Sequence, residues 1–251
     1  MNIAIITGAS SGLGVELYKE IQNEALDEIW IIARREQRLR EICAEHGKAK
    51  TRVVPMDLTV YDNMKKLSEM LDSEDINIKF LINNAGFGIF GSVAEADFKG
   101  QGNMVDLNVR ALTEISSIAL KHMKESSCII NICSIASFVP NANLTVYSST
   151  KAYVMSFSRA LRQELKKRKI NVTAVCPGPM STEFLEVAGI EKGTSKMFDT
   201  LPRTSPSFVA KKAIKAAKSG QAVYTPRFLF KLYRALAKVL PHGLLLPICK
   251  C

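Results

Sequence analysis

The sequence has no C-x-x-C pair and no His/Cys spacing of the kind that holds a metal ion, although it carries six cysteines (Cys43, Cys128, Cys133, Cys176, Cys249 and Cys251). No metal site is expected from such a pattern. Three of the thiols sit inside apolar runs, as buried cysteines do, which points to a reducing compartment and no disulfide framework. No charged segment or cleavage site precedes the first apolar run, so a secretory leader is not expected. No stretch reaches the ~18 uninterrupted apolar residues of a spanning helix. Helix-turn-helix, zinc and RNA-binding signatures are also missing, which argues against nucleic acid as the partner of this basic chain. A cytoplasmic protein is the expectation.

Negative charge is missing from one region only. From Thr200 to Cys251 there are ten Lys/Arg and no Asp or Glu, whereas the preceding 199 residues hold 24 of each sign. The whole net charge of +10 therefore lies in the last fifth of the chain. Composition is otherwise that of a globular protein with a sizeable core, 47% hydrophobic and 23% charged. No internal linker and no repeat divides it, so residues 1–251 are read as a single domain.

Apolar runs alternate with amphipathic stretches along the chain. Strands are expected at 2–7, 28–33, 52–56, 78–82, 127–133, 170–176 and 221–224. Long helices are expected at 97–124 and 144–168, and shorter ones elsewhere. Strand–helix alternation implies right-handed crossovers and one parallel sheet covered on both faces. The first strand runs into Gly8-Ala9-Ser10-Ser11-Gly12-Leu13-Gly14 and then a helix. Glycines in that context let a backbone approach a pyrophosphate whose charge rests on the helix N-terminus. After the second strand come Arg34 and Arg35, where a ribose-binding acid would select NAD. A guanidinium there can instead bind a 2′-phosphate bidentately, so Arg34, with Arg35, points to NADP(H). Asp57 and Leu58 follow the third strand as a candidate adenine contact, and Asn83-Asn84-Ala85-Gly86 the fourth.

In a helix, Tyr147 and Lys151 are four residues apart on one face. An ammonium beside a phenol favours the phenolate and would draw a pKa that starts near ~10 toward neutrality. Such a phenol is a usable general acid or base. On its own the pair is better read as a packed aromatic beside a solvated lysine; its meaning depends on what surrounds it.

Taken together these motifs resemble the short-chain dehydrogenase/reductase family. Thr7 to Gly14 matches its T-G-x-x-x-G-x-G, Asn83 to Gly86 its N-N-A-G, and Pro177-Gly178 its P-G after the sixth strand. Asn108, Ser134, Tyr147 and Lys151 fall at the family's tetrad positions, and the match spans about residues 2–182. The resemblance implies a Rossmann-like doubly wound sheet of about seven strands, with a C-terminal helical extension at 225–251. It implies an NADP(H)-dependent oxidoreductase interconverting a carbonyl and an alcohol. Tyr147 would protonate the alkoxide, Lys151 hold the nicotinamide ribose and Ser134 hydrogen-bond the carbonyl oxygen. Asn108 would bind a water linking Lys151 to solvent, and Thr182 would touch the carboxamide of the nicotinamide. Cofactor contacts are expected from Gly8, Ser10, Ser11, Gly12, Leu13, Gly14, Arg34, Arg35, Asp57, Leu58, Asn84, Ala85, Gly86, Tyr147, Lys151, Pro177, Gly178 and Thr182.

The ends of the chain depart from the family pattern. No glycine-rich turn follows the last strand, which argues for a homodimer through the long helices and against a tetramer. Residues 179–206 form the expected substrate loop, made apolar by Val187, Ile190, Met197, Phe198 and Leu201. That favours a lipophilic substrate, steroid-like or acyl-type; reduction of a 3-oxoacyl carrier, or a non-catalytic NADP sensor or membrane scaffold, are the alternatives. A helix beginning at Pro226 would carry Arg227, Lys231, Arg234 and Lys238 as a basic stripe with leucines on other faces. It is read as a lid or dimer contact with the stripe in solvent, or as an interfacial membrane helix.

Overall fold

Among the described residues, seven strands pair in parallel in the computed structural model. They are β1 (Asn2–Thr7), β2 (Glu28–Ala33), β3 (Thr51–Pro55), β4 (Asn77–Asn83), β5 (Cys128–Ile132), β6 (Asn171–Val175) and β7 (Val223–Tyr224). The helices that follow β1 to β3 are α1 (Gly12–Ile21), α2 (Glu36–His46) and α3 (Tyr61–Asp72). After β4 come α4 (Phe98–Val105) and α5 (Leu112–Ala119), and after β5 comes α6 (Thr145–Glu164). The segment between β6 and β7 holds α7 (Glu183–Val187), α8 (Lys196–Thr200) and α9 (Pro206–Lys218). Beyond β7 lie α10 (Phe228–Val239) and α11 (His242–Leu245). The structure describes residues 1–190, 193 and 196–246, without the side chains of Lys196, Met197 and His242. The expected roles of Met197, Cys249 and Cys251 therefore lie outside the described residues.

Sheet order is β3-β2-β1-β4-β5-β6-β7, so the direction of progression reverses between β1 and β4. In an open parallel sheet that reversal opens a crevice at the carboxyl ends of the strands. Successive residues of each strand face opposite sides. Ala4 and Ile6 of β1 join α1, α2 and α9 in one core, whereas Ile3 and Ile5 join α3, α5 and α6 in the other. Both faces being covered explains why β2 reads Glu-Ile-Trp-Ile-Ile-Ala with every residue buried. Its one charge, Glu28, accepts from Trp30 Nε1 at 2.7 Å and pairs with Lys50 and Arg52 at 3.2 and 3.1 Å. Burial opposes the ionised form, but the Trp30 hydrogen bond and the two cations hold the carboxyl below the usual carboxylate range.

Three elements differ from the expectation. Residues 97–124 are not one α-helix: a π-helical turn at Asp106–Ala111 separates α4 from α5, and a 3₁₀ turn at Leu120–His122 ends it. Ser205 precedes α9 as foreseen, but its hydroxyl bonds Ser207 Oγ at 2.7 Å and does not cap the helix backbone. Helix α10 starts at Phe228, not at Pro226, because Arg227 turns the chain with φ 58° and ψ 140°. That left-handed backbone is costly for a side-chain-bearing residue. The Arg227 guanidinium offsets the cost through bonds to Thr204 Oγ1, at 3.0 Å, and the Arg203 carbonyl.

Candidate active site

The glycine turn after β1 is fixed from across the crevice. Asn84 Nδ2 donates to the carbonyls of Thr7 and Gly8, both at 3.0 Å, and the N–H groups of Asn84 and Ala85 donate to Thr7 Oγ1. Gly8 has φ 67°, and a Cβ on it would lie 2.7 Å from Ala85 Cα. A Cβ on Gly14 would overlap the Gly8 carbonyl oxygen. Only glycine permits this approach. Ser11, extended at φ −159°, opens α1 without a side-chain cap, and Leu13 is buried behind it. The first N–H groups of α1 are thus presented to an anion, as a pyrophosphate requires. The chain fits a dinucleotide here.

Just past the carboxyl end of β2 the two arginines separate. Arg35 donates to Ser10 through Oγ, at 3.3 Å, and through the carbonyl, at 3.2 Å; its Nη2 also pairs with Glu183 of α7 at 3.0 Å. Arg34 is exposed, and its charge acts on Asp57. Burial works against ionised Asp57, but two hydrogen bonds from Thr59 and the Arg34 charge keep its carboxyl below the usual range. Leu58 is buried beside Thr7, Asn83 and Ala85 at the floor of the crevice. Thr182 packs on Gly12, so that a Cβ there would lie 3.1 Å from it.

The four tetrad positions converge at the carboxyl ends of β4 and β5. Asn108 sits in the π turn, clamped on the chain just past β4. It accepts from Phe87 N–H at 3.1 Å and donates to Phe87 O at 2.9 Å and Thr150 Oγ1 at 3.1 Å. Both of its amide protons are thereby committed to the protein. Gly86 lies between Asn108 and Lys151: a Cβ on it would meet Asn108 Oδ1 at 2.8 Å and Lys151 Nζ at 3.4 Å. Ser134 follows β5, and its hydroxyl lies close enough to the Tyr147 phenol to favour the phenolate. Lys151 Nζ stands 5.7 Å from the centre of the Tyr147 ring and donates to the Ile132 carbonyl at 2.9 Å.

This electrostatic state differs from the one the spacing suggested. Both groups are buried. Desolvation pushes the phenol above its ordinary value, with the Ser134 hydroxyl opposing, and pushes the Lys151 ammonium below its own. Proximity along a helix face does not by itself lower the phenol's pKa when water is excluded from both partners.

Several residues of the site carry no sequence motif. Phe184 of α7 lays its ring against Tyr147, with centroids 5.5 Å apart at 53°. With Met104, Leu144, Phe87 and Ile89 it makes the surroundings of the phenol apolar. The cover over Tyr147 thus comes from the loop after β6, not from the tail. A ladder of amides runs beneath: Asn83 Nδ2 donates to Ser116 Oγ, at 3.0 Å, and to Asn131 Oδ1, at 2.9 Å. Asn131 Nδ2 continues it to Ser158 Oγ at 2.9 Å. Cys133 Sγ donates to the Lys151 carbonyl at 3.1 Å, tying α6 to the end of β5. The polar type of Asn83 and Asn131 in apolar strands was the available signal for the ladder; nothing marked Phe184.

The tail bears on the Pro177-Gly178 loop. Phe230 is 1% exposed, and its ring occupies the space a Cβ on Gly178 would need. The expected basic stripe is broken: Arg234 turns inward to donate to Thr225 Oγ1 at 3.1 Å and the Val223 carbonyl at 3.3 Å. Arg227 is engaged at the helix start, which leaves Lys231 and Lys238 facing out.

Sheet order, glycine turn and crevice define a doubly wound dinucleotide-binding protein. A family model described as short chain dehydrogenase matches residues 2–192, and the chain belongs to the short-chain dehydrogenase/reductase family of oxidoreductases. An uncharacterised oxidoreductase of Staphylococcus saprophyticus is 31% identical over 185 residues, covering 72% of this chain and 79% of the relative. A short-chain dehydrogenase from Sphingobium yanoikuyae, solved in complex with NADPH, has a TM-score of 0.80 at 24% identity, covering 96% of each chain. A bulky-bulky ketone specific alcohol dehydrogenase from Comamonas testosteroni has a TM-score of 0.75 at 25% identity, covering 96% of this chain and 95% of its own.

Proposed function

We propose that the chain, acting as one NADP(H)-binding unit over 1–251, interconverts a lipophilic ketone or aldehyde and its alcohol. The observation that carries the reading is the meeting of Ser134, Tyr147 and Lys151 at the carboxyl end of β5, with Lys151 Nζ 5.7 Å from the centre of the Tyr147 ring. The nicotinamide, when bound, supplies hydride to the carbonyl carbon. Gly8, Ser10, Ser11, Gly12, Leu13 and Gly14 would hold the pyrophosphate; Arg34 and Arg35 would hold the 2′-phosphate; Asp57 and Leu58 would border the adenine. Asn84, Ala85, Gly86, Pro177, Gly178 and Thr182 would border the nicotinamide half. Ser134 donates to the carbonyl oxygen as charge grows there. Tyr147 gives that oxygen its proton and is left as phenolate, which the Lys151 ammonium stabilises and Asn108 helps reprotonate through the turn that carries it.

Burial of Tyr147 among Phe184, Met104 and Leu144 supports a lipophilic substrate, as does likeness to an enzyme described as specific for bulky-bulky ketones. The proposed assembly is a homodimer through α5 and α6. The proposed setting is cytoplasmic, with peripheral membrane contact through residues 226–251. Replacing Tyr147 with Phe tests the mechanism: NADPH binding persists while ketone reduction falls by about 10²-fold or more. Turnover equal to that of the wild type would refute it.

A further inference from the structure

Helix α10 has two apolar faces, and the fold uses one of them. Inward, Phe230 seats on Gly178, Tyr233 packs on Phe138 with ring centroids 5.7 Å apart, and Ala237 and Leu240 join Val139. Outward, Phe228 is 80% exposed and Val239 81%, with Leu229, Leu232 and Leu236 exposed beside them. At 3.6 residues per turn these five side chains fall within a sector of roughly 100°. Lys231 and Lys238 project along one border of that sector, both exposed.

Charge decides what could cover this face. No Asp or Glu occurs anywhere from Thr200 onward, against ten Lys/Arg. A second copy related by a two-fold axis would set the same lysines near one another with no carboxylate in the tail to separate them. A lipid surface supplies both complements at once, with acyl chains under the apolar sector and anionic headgroups at the lysines. No described helix is long and apolar enough to cross a membrane, and α10, at 12 residues, could only lie along such a surface.

We propose that α10 is an interfacial docking helix that seats this protein on an anionic lipid surface. Phe228, Leu232 and Val239 enter the acyl boundary, and Lys231 and Lys238 sit at phosphate level. This deepens the lipophilic-substrate reading of the site and rests on it only for its purpose. Because the opposite face of the same helix holds the Pro177-Gly178 loop, docking brings that loop within about one helix diameter, ~10 Å, of the bilayer.

The test uses the full chain with vesicles of phosphatidylcholine alone and of phosphatidylcholine mixed with phosphatidylglycerol, read by co-sedimentation. The wild type partitions onto the mixed vesicles, and less so as salt is raised. Lys231→Gln with Lys238→Gln weakens that partition by roughly 30-fold, about fivefold for each lysine. Leu232→Gln with Val239→Gln weakens it by about tenfold or more. NADPH affinity, measured by fluorescence in every variant, stays unchanged, since none of these side chains faces the crevice. A wild type that ignores mixed vesicles overturns the proposal, whether or not it reduces ketones. So does a face whose substitution splits a dimer in sedimentation while vesicles have no effect. Vesicle binding by a chain that reduces no ketone leaves docking standing and removes the catalytic reading.

Discussion

The contact between Phe230 and Gly178 can be broken from either side, which makes it measurable. Gly178 does not lie in the left-handed region, so alanine fits its backbone and the penalty is steric. The added methyl would overlap Phe230 Cε2 and stand 2.5 and 3.1 Å from two other ring carbons. Overpacking of that kind costs about 1–3 kcal/mol. Phe230→Ala, which empties a fully buried ring site, costs about 3–5 kcal/mol. In the double variant the new methyl enters the space the ring has left, and the Gly178→Ala penalty falls to near zero. The two substitutions therefore couple by about 1–3 kcal/mol in the favourable direction, well beyond the ~0.5 kcal/mol within which independent sites add. Urea unfolding followed by the fluorescence of Trp30, the only tryptophan and fully buried, reads all four stabilities. NADPH titration of the same proteins reads the loop. Additive stabilities would refute the packing of the tail on this loop.

Arg34→Ala weakens NADPH by about tenfold or more and leaves NADH nearly unchanged, as loss of a guanidinium–phosphate contact requires; a proportional loss of both in a fluorescence titration would count against NADP(H) selection. Glu28→Gln removes a carboxylate whose folded pKa is depressed. The stability it lends is present above its unfolded pKa of ~4.3 and disappears as pH falls through the folded value. The gap between wild type and variant in urea unfolding is therefore full at pH 7 and narrows toward pH 3; a constant gap would contradict the sign. Phe184→Ala raises the exposure of Tyr147 and so relieves the desolvation that holds its phenol high. Its titration, followed by ultraviolet difference absorbance, shifts down, and an unshifted phenol would place the cause elsewhere.

The sheet was legible because a strand buried on both faces is a short uninterrupted apolar run, and strand ends from Asn2 to Val175 shifted by at most a residue. The four candidate positions that meet at the ends of β4 and β5 were legible as spacing and order. What escaped depends on partners remote in sequence. The π turn exists where the Asn108 amide grips the backbone of Phe87, and nothing within residues 97–124 announces it. Arg234 shares the helical spacing of Lys231 and Lys238, yet it faces inward because Thr225 and the Val223 carbonyl lie there. Arg227 bends the chain against the ordinary preference of its residue type, held by Thr204, and so moved the helix start that Pro226 had suggested. The raised phenol of Tyr147 depends on burial by Phe184, a residue in a loop whose sequence says only that it is apolar.

The amide ladder under the site has a direction. Asn83 gives its protons to Ser116 and Asn131, and Asn131 gives its own to Ser158, so each link fixes which way the next amide must face. A slip of β4 against β5, or of α6 over the sheet, would strand donors in an environment without water. Such a chain acts as a checksum on assembly. The π turn runs on into α5, Ser134 follows β5 and Tyr147 lies on α6, so all three reach their places only when the sum is right. They should also lose them together, at the free energy of global unfolding and not by local fraying.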